Sequence, residues 1–348
     1  MNTLIQEITQ RFASDNPFAV ATIVSSSGST PRTAGSKMIV YANGNISGTI
    51  GGGLIEARVI QSAVFLIQEG RAVLETFQLN SSTADTMDMI CGGELTVFIE
   101  TFYPGHPAGT LFSAAVQEIR AGEKCLLVSE LSGPDGNLGV RKIFVKQNGE
   151  SHGSWTLPET LDSGFLTSWF RHKAPFITEF GNRRLIVEPL CAGAKVFIFG
   201  AGHVSRQLAK ITGMIDFQTT IIDDREEFAN RERFPSAHDI RVSPDCFTRF
   251  TDLAIDGESY IVIVTRGHRH DQTVLEQALK TDACYIGMIG SRGKRDAIYQ
   301  NLYDKGVDQK AMERVHSPVG LDIAAETPEE IAVSIAAELI RVRNRKTP

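Results

Sequence analysis

Residues 195–209 read KVFIFGAGHVSRQLA: an apolar run, a break at Gly200-Ala201-Gly202, then apolar residues at helical spacing. A strand that enters a glycine turn and leaves as a helix forms a cradle for nucleotide phosphate. The first glycine permits the tight turn, and the second lets the main chain approach a pyrophosphate. The helix start adds unpaired N–H groups and the positive end of its dipole. The third fingerprint position holds Ser205 instead of glycine, which predicts slightly looser packing of helix on strand. Such a glycine pattern is weak alone. Support comes from the next strand, Thr219 to Ile222, which ends in Asp223, where an acid that binds a ribose hydroxyl is expected.

Outward from this stretch the second half alternates. Strands are expected at 195–199, 218–222, 238–242, 259–264 and 283–289, with helices at 203–213, 225–231, 271–280 and 293–304. A last helix starts at Thr327-Pro328-Glu329-Glu330, with Thr327 as N-cap and Glu330 at N3, and runs to about Asn344. This βαβ pattern predicts a parallel sheet covered on both faces. The first half reads as mixed α and β: strands near 18–25, 37–41, 45–50, 73–79 and 95–100, helices near 54–68 and 111–121, and a hairpin 124–131/139–146. Residues 148–182 are the least periodic. After the strand Arg184 to Glu188 the boundary falls in Pro189 to Gly193. The fold class is therefore α/β, a C-terminal Rossmann-like parallel-sheet domain (191–348) preceded by an N-terminal mixed α+β domain (1–190).

The 348 residues suit two domains. A net charge of −6 argues against a broad nucleic-acid footprint. No apolar run reaches the ~18 residues of a membrane span. The opening MNTLIQEITQRFA puts Leu4, Ile5, Ile8 and Phe12 on one helical face and lacks the basic start and apolar core of a signal peptide. Five cysteines without CxxC fit a reducing cytoplasm.

In open α/β sheets ligands bind beyond the carboxyl ends of the strands. There the sequence puts Gly200, Ala201, Gly202, His203 and Val204; Asp223, Asp224 and Arg225; Thr265, Arg266, Gly267 and His268; and Gly290, Ser291 and Arg292. Both signs of charge converge, and the arginines suit an anionic ligand. If the segment is strand-like, His268 and His270 share a side ahead of Asp271. No fourth ligand is evident, so no metal is assigned. The first half has its own glycine-rich helix start, Gly51-Gly52-Gly53, which implies a close backbone approach to a ligand or to another strand. Pro31-Arg32 on a polar loop could present a cation, and Cys91 is the cysteine least embedded in an expected element. Cys125 and Cys284 read as core strand residues. No catalytic residue is assigned.

Together these segments resemble the XdhC/CoxI family, the xanthine dehydrogenase accessory factors. The matching stretches are Gly28 to Gly35, Gly48 to Glu56, Cys91-Gly92-Gly93, Val196 to Val204, Asp223-Asp224-Arg225 with Glu227-Phe228-Ala229, Arg231 to Pro235, Tyr285 to Arg295 and His316 to Ile335. The resemblance implies a protein that holds molybdopterin-type cofactor, aids its sulfuration with a cysteine desulfurase, and delivers it to an apo molybdenum hydroxylase. Such a protein needs no catalytic centre, and a homodimer is expected. Family members often carry Gly-Gly-Cys where this chain has Gly52-Gly53-Leu54, which leaves Cys91 as the thiol candidate. Two other readings remain open on the residues alone: an NAD(P)-dependent oxidoreductase, although no Tyr–Lys relay is recognisable, and a nucleotide-sensing regulatory protein.

Overall fold

The computed structural model describes residues 2–79, 92–157, 163–243, 245, 247, 250 and 252–344. It divides into two compact units, Met1–Ala192 and Gly193–Pro348. No helix among the described residues is long and apolar enough to cross a membrane.

The first unit runs α1 (Asn2–Arg11), β1 (Phe18–Ser27), β2 (Lys37–Tyr41), β3 (Ile46–Gly48), α2 (Gly53–Glu69), β4 (Val73–Gln78), β5 (Glu94–Phe102) and α3 (Ala108–Ala121). It continues with β6 (Cys125–Ser132), β7 (Gly139–Lys146), β8 (Ser151–Gly153), α4 (Ser163–Arg171), β9 (Phe176–Phe180) and β10 (Arg183–Leu190). Among the described residues these strands form two five-stranded antiparallel sheets, ordered β3-β2-β1-β5-β4 and β8-β7-β6-β10-β9. The expected stripe of α2, Ile55, Val59, Ala63 and Leu66, is buried against Ala21, Ile23, Val97 and Ile99 of the first sheet. Each large aliphatic side chain there contributes about 1.5–3 kcal/mol relative to exposure. α1, through Ile5 and Ile8, packs with α3 onto Phe18, Phe102, Leu127 and Phe144. The aperiodic stretch 148–182 holds β8, α4 and β9, which are short and draw their burial from tertiary contacts such as those of Trp155 and Trp169.

The second unit runs β11 (Lys195–Phe199), α5 (His203–Met214), β12 (Gln218–Asp223), β13 (Asp239–Val242), β14 (Tyr260–Ile263), α6 (His268–Ala278) and β15 (Tyr285–Met288). α7 (Arg292–Asp304), α8 (Gln309–Met312), β16 (Val315–His316) and α9 (Pro328–Arg343) follow. All of its strand pairings are parallel, in the order β13-β12-β11-β14-β15-β16. Counted within the unit this is 3-2-1-4-5-6, the dinucleotide-fold order, and its switch point lies between β11 and β14. Alternation along β11 sends Val196 and Ile198 to the α5/α9 face and Phe197 and Phe199 to the α6/α7 face.

Two expectations fail. Residues 225–231 form turns instead of a helix, because Arg225 is held by Asp223 and the Asn230 amide donates to the carbonyls of Glu226 and Glu227. Side chains that bond nearby main chain in this way compete with helical hydrogen bonding. α6 starts at His268, three residues before the expected Asp271, because Gly267 is extended and acts as its N-cap. The sixth strand, β16, adds to the five expected ones; its two residues are too few to give a periodic signal.

α9 opens on the expected capping box, Thr327 with Glu330. Deeper in it, the buried Glu338 accepts Tyr285 Oη–H and the Gly320 amide, both at 2.8 Å, and contacts His316 Nδ1 at 3.1 Å. Burial opposes its charge, but the bonds from His316, Tyr285 and Gly320 outweigh it and hold the carboxyl at about 2, down from 4.5. A depressed carboxyl pKa stabilises the fold above the unfolded value, and that contribution disappears as pH falls through the folded value. Glu338 alone should therefore contribute on the order of 3 kcal/mol to the stability lost between about pH 5 and pH 2, read by urea unfolding as the difference between the native chain and a Glu338 variant. Glu338→Gln should be less stable than the native chain at pH 7, and the gap should close towards pH 2. A gap that stays constant across this range would assign the titration elsewhere.

Candidate nucleotide-phosphate site

At the end of β11, Gly200 has φ 106°, and a Cβ there would collide with the Val264 carbonyl at the end of β14. This glycine is required by its own sheet, at the switch point. The buried Ala201 donates its N–H to Asp223 Oδ2 at 2.7 Å. Gly202 differs: its φ is −76°, and a Cβ would meet nothing within 4 Å. Gly202 caps α5 without a side-chain bond, and the amides of Gly202, His203 and Val204 have no hydrogen-bond partner among the described residues. Open space in front of unpaired amides at the positive end of a helix suits an anionic oxygen. Ser205, at the third fingerprint position, is fully buried and donates to the Gly200 carbonyl at 2.5 Å, tying the first helical turn to the strand.

Asp223 stands where a ribose-binding acid is expected, but its carboxylate is already engaged. Oδ1 accepts Arg225 N–H at 3.1 Å and Nε–H at 2.9 Å, and Oδ2 accepts Ala201 N–H and an Arg225 terminal nitrogen at 3.2 Å. Burial works against the charge, yet the Arg225 and Ala201 bonds outweigh it and keep the carboxyl below its usual range. At 2% exposure Asp223 fastens the corner instead of presenting an acceptor to solvent. Arg225 lies 3.7 Å over the Phe228 ring and Arg233 covers the same ring at 4.9 Å, while Arg233 also donates to the Ala201 carbonyl at 3.3 Å. In the sequence Phe228 and Arg233 belong to the family motifs, with no sign of this part. Two arginines with no shared local pattern reveal a common partner only once the chain has turned.

The neighbouring loops complete this edge. Arg266 pairs with Asp224 at 2.6 Å and remains half exposed. Thr265 donates from N–H and Oγ1 to Asp271, whose other oxygen pairs with Lys294 of α7. Asp271 is fully buried, so it anchors the loop and is not a surface ligand. Positions 268 and 270 lie in the first turn of α6, where residues two apart are separated by about 200°, so the strand-like pairing of the two histidines is overturned. No metal-binding group of three or more His, Cys, Asp or Glu occurs among the described residues. Ser291 caps α7 and Arg292 is exposed at its start. Gly290 has φ 153° and a Cβ there would press on the Lys294 side chain. The expected residues from Gly200 to Gly267 thus share the carboxyl edge of β11, β12 and β14, with Gly290–Arg292 one strand further along.

The first-unit candidates form a separate cluster at one end of its first sheet. Gly51, with φ 130°, is packed on Pro31, and a Cβ on Gly93 would strike the carbonyls of Ser27 and Ser29. The amides of Ile50 and Gly52 are taken by Glu56 at 3.1 and 3.2 Å, and that of Gly51 by Thr49. The close approach that these glycines imply is therefore to other parts of this chain, and the chain's own carboxylate fills the turn. Gly52 and Gly53 have open space at Cβ, and Arg32 is exposed. Cys91 lies outside the described residues. Cys125 is buried as expected, with burial pushing its thiol up to about 12, but Cys284 is exposed just before β15.

Fold and site define a dinucleotide-fold protein with an open glycine corner at a helix start and an additional antiparallel unit. Residues 12–78 match the XdhC and CoxI family, and residues 196–339 match the XdhC Rossmann domain. The chain belongs to this family. It is similar to the uncharacterized protein YqeB of Escherichia coli, at 26% identity over 94% of this chain; the chain spans only 44% of YqeB's length. It is 24% identical to a probable xanthine dehydrogenase subunit of Bacillus subtilis, over 94% of this chain and 93% of that protein. It is 19% identical to the molybdenum cofactor insertion chaperone PaoD of Escherichia coli, over 98% and 88%. The crystal structure of a protein described as a xanthine dehydrogenase, from Bacillus halodurans, superposes with TM-score 0.79 at 26% identity, covering 99% of this chain and 97% of that one.

The two glycines of the corner should respond oppositely. Gly200→Ala forces an L side chain into a left-handed φ against a carbonyl and should lower unfolding free energy by at least about 1–3 kcal/mol. Gly202→Val should leave the thermal midpoint within a few degrees while obstructing the corner. Equal destabilisation by the two would refute this division of roles.

Proposed function

We propose that this protein is an accessory chaperone for maturation of a molybdenum hydroxylase of the xanthine dehydrogenase type. On this reading it binds molybdopterin-type cofactor, aids its sulfuration with a cysteine desulfurase, and passes it to the apo-enzyme, working as a homodimer in a reducing cytoplasm. The observation that carries the reading is the set of free amides at Gly202, His203 and Val204 beside open space, in a chain of the XdhC and CoxI family. A pterin cofactor ends in a phosphate, often extended by a nucleotide, and that end suits a helix start. Gly202 to Val204 would hold the phosphate, with the half-exposed Arg266 within the same edge to balance its charge. When bound, the cofactor supplies the metal and dithiolene chemistry that the hydroxylase later uses.

The fit extends to the phosphate end only: no described cysteine lies in either glycine cluster, so Cys91 is proposed as the thiol on the family pattern alone. A dinucleotide oxidoreductase is less well supported, because Asp223 would have to release Arg225 or Ala201 to bind a ribose hydroxyl.

The full chain, purified from cells that make the cofactor, should release a molybdopterin species detectable by mass spectrometry in amounts comparable to protein. Gly202→Val should lower this at least tenfold, and Cys91→Ser should abolish retention if its thiolate holds molybdenum. Absence of any pterin, together with normal hydroxylase activity in a strain lacking the protein, would overturn the proposal.

A further inference from the structure

Among the described residues β4 is an edge strand: β5 pairs with one side of it, and the sheet ends there. Antiparallel pairing turns the main-chain groups of alternate residues to opposite sides. Leu79 N–H donates to the Gly93 carbonyl on the β5 side, whereas Leu74 N–H donates away from β5, to the Asp135 carbonyl. The even-numbered positions of β4 therefore face outwards. Ala72 and Leu74 are covered there by the 135–138 turn, but the amides and carbonyls of Thr76 and Gln78 have no hydrogen-bond partner among the described residues. Both residues are exposed. A row of free donors and acceptors on a sheet edge is a template for a further strand.

Beside this edge α2 leaves a cleft of about 450 Å³, whose lining includes Arg58, Gln61 and Ser62 of the helix and Glu75 and Phe77 of the strand. Arg58 lies 5.8 Å over the Phe77 ring, and neither Arg58 nor Glu75 has an ion-pair partner among the described residues. Arg58, Ser62 and Phe65 follow at i, i+4 and i+7 and so share one flank of α2, on which Phe65 is 54% exposed. The edge thus combines unpaired main chain, an exposed aromatic ring and one unpaired charge of each sign.

The geometry points to the edge of β4 as the surface on which a second copy of this chain docks, strand to strand, about a two-fold axis at Phe77. A two-fold contact needs a patch that complements itself. With Phe77 opposite its own counterpart, the outward N–H and C=O of Thr76 exchange bonds with those of Gln78 in the second copy, and the reverse holds across the axis. Glu75 then lies diagonally across from the second Phe77, the ring that the second Arg58 covers. The cation and the anion that lack partners within one chain meet between two. A foreign peptide would have to supply both signs in the matching order; a second copy has them by symmetry. This inference rests on the homodimer proposed above and gives it an interface, and it shares no residue with the glycine corner.

The test is the mass of the full chain in solution, by analytical ultracentrifugation. The native chain should sediment as a dimer. Thr76→Pro removes an amide that has no partner in the sheet, so the far-UV circular dichroism should be unchanged while the chain becomes monomeric. Thr76→Val, which gives up the hydroxyl contact with Thr96 but keeps the amide, should remain dimeric. Glu75→Arg and Arg58→Glu, each of which sets like charges face to face, should raise the dimer dissociation constant at least about tenfold. The double exchange, Arg58→Glu with Glu75→Arg, should restore it to within roughly threefold of the native value. A dimer that survives Thr76→Pro, or that the double exchange fails to restore, would overturn this interface and leave the homodimer standing. A monomeric native chain would overturn both. If that monomer bound an apo-hydroxylase and lost it in Thr76→Pro, the edge would belong to that partner instead of a second copy.

Discussion

The carboxylate of Asp223 is the constraint on which the second unit's ligand edge depends. By accepting the Ala201 amide it ties the end of β11 to β12, while the next three amides have no partner among the described residues. By holding Arg225 it turns the chain beyond β12 and lays the guanidinium over Phe228. Arg233 then closes on the other side of the ring and on the Ala201 carbonyl. Both sides of the peptide at Ala201 are thus secured from within. On the function proposed above, an anion at Gly202 would meet a corner already held from within, which would limit the entropy lost on binding. The same bonds withdraw Asp223 from the part that its position in the fold would suggest.

The first unit is organised by a different pairing. Its two sheets exchange charges: β2 and β5 contribute Lys37 and Glu100, while β10 and β7 answer with Glu188 and Lys142. Lys37 is further bonded to Thr22, and Lys142 to Ser129. Buried pairs of this kind add little net stability against an apolar alternative, but losing one partner costs about 3–5 kcal/mol. They therefore penalise any slip of one sheet against the other, a slip that the mostly aliphatic contacts of Val24, Leu74, Leu131 and Ile186 would resist less. Glu188 Oε1 is buried with no hydrogen-bond partner among the described residues, so the carboxylate's charge is met through Oε2 and Lys37 alone of those residues.

Glycine means different things at the two glycine-rich helix starts. At Gly51-Gly52-Gly53 the turn amides are closed by Glu56, four residues along the chain from Gly52. Burial disfavours this carboxylate's charge, yet the Thr49 hydroxyl and the turn amides hold it below the usual range, so the turn carries its own anion. At Gly200-Ala201-Gly202 the carboxylate of Asp223 reaches Ala201, and no other carboxylate among the described residues accepts an amide of the turn. In sequence the first stretch asks only for a close backbone approach and the second for a phosphate; in the structure the first is satisfied internally and the second is not.

Periodicity, glycine placement and the Thr327-Pro328-Glu329-Glu330 start signal revealed the alternation of the second half, the start of α5, the buried stripe of α2 and the capping box of α9. These are local: each depends on residues within about two turns of one another, where spacing dictates which side chains share a face. The family could also be read directly, because its motifs recur in a fixed order from Gly28 to Ile335. What the chain could not announce was where its charges go. Asp223 meeting Ala201, Asp271 meeting Lys294, and Glu100 meeting Lys142 join residues 22, 23 and 42 positions apart. Such partners are chosen by how sheets and helices stack, not by neighbours in sequence. Only the tertiary structure could therefore decide which glycine corner stays open and that Glu188 keeps a buried oxygen without a partner among the described residues.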